Sequence, residues 1–178
     1  RRRTLSVAQE LYDTHKLTTY PRTDSRFLPE DMVESINQTI TKIGQQTDYK
    51  SFSKKLANDG LTNVKRNFND SKVSDHYAII PTGKLPKNNL SQDAAKLYDL
   101  IVRQFFASFY PIAIWDVQTR ITTKENQDFK KEIRMIKQAG WREVKPKSNK
   151  IPEKWGKLPS NSAETSVIEY RFKEELTK

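Results

Sequence analysis

The sequence predicts an α+β chain, helical up to about residue 110 and strand-rich over 111–178. Three observations carry this expectation. Ala94, Leu97, Tyr98, Ile101, Val102, Phe105, Phe106 and Phe109 recur at helical spacing. Pro111 ends that run, since it has no N–H for a helical bond. Beyond it Ile112, Ile114, Val117, Thr119 and Ile121 alternate with one phase slip, which predicts a strand with a bulge.

The remaining elements follow in chain order. Leu5, Ala8, Leu11, Tyr12 and His15 predict a helix over 4–16. Residues 17–20 are expected to be extended, because Tyr20 precedes a proline that disfavours helical backbone. Pro29, Glu30 and Asp31 open a second helix with acids at its positive end. Val33, Ile36, Ile40 and Ile43 form its buried stripe, and Gly44 stops it. Residues 49–60 predict a short helix ended by Asn58-Asp59-Gly60, followed by a polar stretch with a loop over 67–74. Ala78, Ile79 and Ile80 are a short apolar run closed by Pro81-Thr82-Gly83. Residues 129–144 stay open between two readings. Phe129, Ile133 and Ile136 have helical spacing, whereas Gly140-Trp141 looks like a turn into a strand. Pro146, Pro152 and Pro159 make 145–163 a loop, and 167–172 reads as a final strand. The boundary near Pro111 divides a mainly helical domain, 1–110, from a strand-rich one, 111–178.

The 178 residues carry a formal charge of +10. The first 90 hold 15 Lys/Arg against 10 Asp/Glu, and the remainder 17 against 12. This is no basic tail on a neutral domain, so a phosphate-binding surface would have to be built by folding. Such a field favours polyanions, with nucleic acid ahead of an anionic membrane surface. The absence of cysteine excludes disulfides and thiolate metal sites, and it suits a cytoplasmic location. No stretch approaches 18 apolar residues, so no membrane span is expected. RRRTLSVAQEL has charge but no apolar core of a signal peptide. It has no initiator methionine either, and the chain reads as part of something longer.

TTYPRTDSRF, residues 18–27, offers little to a core and much to a phosphate. A tyrosine with a pKa near 10 needs positive charge to become a nucleophile. Arg22 lies two residues from Tyr20, on the same side of an extended segment, and its guanidinium can grip two phosphate oxygens. Thr23 and Ser25 add hydroxyl donors. The residues alone leave a second reading open: Tyr20-Pro21 caps the first helix while Arg22 and Asp24 pair at the surface. His76 is open in the same way, between contacting phosphate and simple packing. His15 belongs at the edge of the core. Two distant histidines without cysteine argue against a metal site. The aromatic spacing of Tyr98, Phe105, Phe106 and Phe109 favours core over a base-stacking platform.

The stretch Thr18-Thr19-Tyr20-Pro21-Arg22-Thr23-Asp24-Ser25 resembles the active-site tyrosine motif of bacterial type IA DNA topoisomerases, in particular the topoisomerase III-like branch. Arg3–Tyr12 is similar to the helix leading into that motif, and Asp75-His76-Tyr77-Ala78-Ile79-Ile80-Pro81-Thr82 to the family's histidine segment. Leu97–Phe106 is similar to the following helix, and Glu175–Lys178 to the stretch entering the next domain. The chain departs from the family at Tyr77, where a second histidine or an acid commonly stands, and at Lys130-Lys131-Glu132, where a glycine is usual before 136–141.

The resemblance implies that 1–110 is the helical tyrosine-bearing domain and 111–178 a strand-rich segment of the gate-arch domain. It implies that Tyr20 attacks single-stranded DNA, leaving a 5′-phosphotyrosyl link and a free 3′-hydroxyl. Arg22 would then hold the scissile phosphate, His76 would assist positioning, Thr23, Asp24 and Ser25 would order the motif, and Thr82 would touch the DNA backbone. Strand passage and resealing would need no ATP. No cofactor is expected in this stretch. Magnesium is implied for the full-length enzyme, through a toprim domain that this chain does not contain, and a further helical domain would follow. The rival readings are a non-enzymatic basic nucleic-acid-binding module and a structural interaction domain.

Overall fold

The first helix, α1 (Arg2–Asp13), buries Leu11 completely and leaves Leu5 at its exposed end. It lies against α5 (Gln92–Phe109), and the Arg3 Nε donates to the Asp93 carboxylate at 2.7 Å near the start of that helix. This computed structural model describes residues 2–87 and 90–145. The expected strand over 167–172 lies outside the described residues, as do all but the first residue of the expected 145–163 loop and the 175–178 stretch.

Between these two helices the chain builds three shorter ones, α2 (Val33–Ile43), α3 (Lys50–Asp59) and α4 (Val64–Asn67). A 3-10 turn over Glu30–Met32 leads into α2, whose Ile36, Ile40 and Ile43 are buried as the spacing predicts. Gly44 sits where α2 meets α3. A side chain there would collide with Ser53, whose hydroxyl donates to the Ile40 carbonyl at 3.0 Å. Gly60 ends α3 with a φ of 77°, in the left-handed region.

The last helix, α5, is the spine of the core. The Ser91 hydroxyl caps its start by accepting from the Ala94 N–H. Tyr98, Val102, Phe105, Phe106 and Phe109 are buried along one side. The Phe106 ring lies 6.2 Å from that of Tyr49 and 6.0 Å from that of Phe52, so these aromatics are core, as their spacing predicts. The final carbonyls of α5 are satisfied by the segment entering α4. Thr62 donates to the Phe109 carbonyl through both its N–H and its hydroxyl, and the Asn67 side chain donates to Ser108.

Among the described residues, the chain after Tyr110 forms a two-stranded antiparallel sheet, β1 (Ile114–Lys124) and β2 (Gln127–Gln138). Glu125 and Asn126 both have positive φ, 51° and 62°, which is the two-residue turn that matches strand twist. The expected alternation after Pro111 therefore marks a real strand, but Ile112 precedes it. Two expectations over 129–144 are corrected. Phe129, Ile133 and Ile136 lie in β2 and not in a helix, because pairing with β1 fixes that segment as extended. Gly140 does not turn the chain into a strand either. It opens a 3-10 helix, Gly140–Val144, with φ at 51°. A Cβ on Gly140 would fall within 2.3–2.5 Å of the backbone of Pro111 and Ile112, so no larger residue fits that approach.

The described residues divide into two units, 2–116 with 135–145, and 117–134. The buried cluster from Leu11 to Val144 lies in the first. Among the described residues no helix is long and apolar enough to cross a membrane.

Candidate active site

The site grows out of the end of α1. Lys16 takes a left-handed backbone, φ 56°, and the chain reverses there into an extended run. That run pairs with residues some sixty positions later. Thr18 bridges Pro81 in antiparallel sense, the Thr19 N–H donates to the Ile80 carbonyl at 2.9 Å, and the Thr82 N–H donates to Leu17 at 3.0 Å. Side chains reinforce the seam. The Thr19 hydroxyl donates to the Ala78 carbonyl at 3.0 Å and accepts from the Ile80 N–H at 2.9 Å. The Thr82 hydroxyl donates to the Lys16 carbonyl at 2.8 Å.

Tyr20 is half-buried at the end of this seam. Its ring centroid lies 4.4 Å from that of His76 and 5.4 Å from that of Tyr12, the latter edge-on. His76 is exposed. Thr23 ties the two halves together by donating its hydroxyl to the His76 carbonyl at 3.1 Å while accepting from the Ser25 N–H at 3.0 Å. The Ser25 hydroxyl donates to the Lys72 carbonyl at 2.9 Å.

Arg22 is exposed and lines a hollow with Ser6, Gln9, Glu10 and Asp13 of α1. No described residue forms an ion pair with it, and Asp24 stands apart, exposed, beside Lys72 and Ser74. The surface Arg22–Asp24 pair allowed by the sequence does not form. An exposed guanidinium two residues along and an imidazole against the phenol are groups that a phosphodiester could engage.

The structure thus brings Tyr20, His76 and Thr23 together, whereas Arg22 lines a hollow against α1 that includes neither Tyr20 nor His76. Ser25 and Asp24 lie further along the loop, and Thr82 lies at the opposite, Lys16, end of the seam. The sequence alone missed two residues. Tyr12 falls in the helical stripe of α1, and spacing does not separate a core ring from one that packs on a functional side chain. Thr19 gives no signal at all, because its two bonds reach residues far along the chain. His15, placed at the core edge, meets Glu10 at 3.3 Å and is largely covered.

A family model described as DNA topoisomerase matches residues 1–178. The chain belongs to the DNA topoisomerase family. Among its relatives is the DNA topoisomerase 3 of Shouchella clausii, 40% identical over 144 residues, which is 78% of this chain and 19% of that protein. The DNA topoisomerase 3 of Bacillus subtilis is 38% identical over 142 residues, 79% of this chain and 19% of the relative. That of Staphylococcus epidermidis is 37% identical over 147 residues, 82% and 20% respectively. The likeness to bacterial type IA topoisomerases, topoisomerase III-like, is borne out, and this topoisomerase chain spans about a fifth of its relatives' length. Among the described residues, no three His, Asp or Glu side chains are grouped to hold a metal ion. The magnesium implied for full-length topoisomerases therefore finds no such group among the described residues.

Proposed function

We propose that this chain is the tyrosine-bearing part of a cytoplasmic topoisomerase that cuts and reseals single-stranded DNA. The observation that supports it most is the Tyr20 ring held 4.4 Å from His76 on a seam of paired backbone, two residues before an exposed Arg22. The Tyr20 Oη attacks phosphorus. The bond to the 3′-oxygen breaks, the phenol loses its proton and the 3′-oxygen gains one. One phosphodiester replaces another, so resealing is the reverse reaction and needs no ATP. Arg22 holds the non-bridging oxygens as charge gathers on them. His76 keeps the phenol facing the phosphate, and Thr23 holds His76 in register. Asp24, Ser25 and Thr82 act through the backbone, ordering the loop, with Thr82 near the DNA strand.

Positioning by the rest of the polypeptide is needed for chemistry, so the 178-residue chain alone binds single strands and does not relax DNA. The test supplies an upstream toprim-bearing fragment of a relative, Mg²⁺ and 3′-labelled single-stranded DNA, then quenches with denaturant. Label joined to this chain is expected. It disappears in Tyr20→Phe and falls about 100-fold or more in Arg22→Ala. Label that persists in Tyr20→Phe overturns the assignment. Shown association of the two pieces without any adduct leaves a basic nucleic-acid-binding module instead.

A further inference from the structure

Arg26, Arg66 and Lys145 line a hollow of about 510 Å³ between α4, the end of α5 and the 3-10 helix at Gly140. Among the described residues no carboxylate lines it. Neither Arg26 nor Arg66 forms an ion pair with a described residue, whereas nearby acids are engaged elsewhere, Glu143 with Lys55 at 3.5 Å and Asp99 with Arg103 at 2.9 Å. The Lys145 ammonium stands 4.9 Å over the Trp141 ring, which pre-positions it at the rim. A second hollow, about 270 Å³, shares Arg26, Asn67, Gln104 and Ser108 with the first and reaches Thr23 and Ser25 of the tyrosine motif. The two make a path from Lys145 to the loop that carries Tyr20.

Like charges gathered in a concave wall repel one another, and such a wall focuses a positive potential that raises the local concentration of anions. Cations spread along a track, and not converging on one point, suit a chain of phosphates better than a single anion. We propose that this track holds the phosphate backbone of the strand that Tyr20 cuts, with Arg26, Arg66 and Lys145 each meeting a phosphate beyond the scissile one. The inference rests on the reading of Tyr20 as the cleaving residue.

The test is the binding of labelled oligothymidylate to the 178-residue chain, followed by anisotropy between about 50 and 200 mM salt. Each phosphate contact on a single strand adds about −0.7 to the slope of log K against log salt. The triple variant Arg26→Ala, Arg66→Ala, Lys145→Ala is expected to lose about 2 from the slope. The exchange Arg26→Lys, Arg66→Lys, Lys145→Arg keeps the charge and keeps the slope, which separates lost contacts from lost folding. An unchanged slope in the alanine variant overturns the track. So does a change seen with duplex DNA and not with the single strand. The measurement needs neither toprim fragment nor cleavage, so it reads the track whether or not an adduct forms at Tyr20.

Discussion

Thr19 shows how much of the site hangs on one hydroxyl. It donates to Ala78 and accepts from Ile80, holding the residue before Tyr20 against the segment that leads from His76. In Thr19→Val the Ile80 N–H and the Ala78 carbonyl lose their partner in a half-buried seam. The expected cost is about 1–3 kcal/mol, seen as a lower urea midpoint with an unchanged m value, and Thr19→Ser restores most of it. The same variant is expected to lower adduct yield, because Tyr20 is no longer held in register. Little of this was legible beforehand. Tyr20, Arg22 and His76 stand out by residue type and by a motif of local spacing. Thr19 and Tyr12 matter through partners that local spacing cannot name.

Elements were legible where one face meets the core and illegible where pairing decides. The stripes of α2 and α5 face the core as their spacing predicts, with Val33, Leu97 and Ile101 only partly buried. β2 was ambiguous because Lys130, Lys131, Glu132 and Arg134 leave no alternation to read, and its extended form comes from β1 through the Glu125-Asn126 turn. Gly140 joins that sheet to the core. With φ at 51° and the Pro111 and Ile112 backbone crowding its Cβ direction, Gly140→Ala is expected to cost more than about 2 kcal/mol in thermal or denaturant unfolding. Gly60, with the same sign of φ and open space around it, is the control, and Gly60→Ala costs only the backbone part.

For the whole molecule the buried tyrosines set the behaviour at high pH. Burial pushes the Tyr110 phenol up to about 12, with the charges of Glu143 and Asp59 adding to it. Burial also raises Tyr49, and its bond to the Asp99 carboxylate raises it further. Both folded values exceed the unfolded one near 10, so the fold keeps protons that the unfolded chain has released. Stability from these groups is complete below pH 10 and is lost as pH rises towards the folded values. Denaturant unfolding between pH 8 and 12 is expected to show a plateau and then a fall. Tyr110→Phe makes that fall shallower, and an unchanged fall would remove Tyr110 from the account. The seam at Tyr20 also has a consequence for the order of events during synthesis. Thr23 and the carbonyl it binds at His76 are 53 positions apart. At about 5–20 residues per second, a ribosome makes Tyr20 about 3 to 11 seconds before His76. For that interval Tyr20 has no His76 to pack against, and the proposed site assembles only after the later segment has been made.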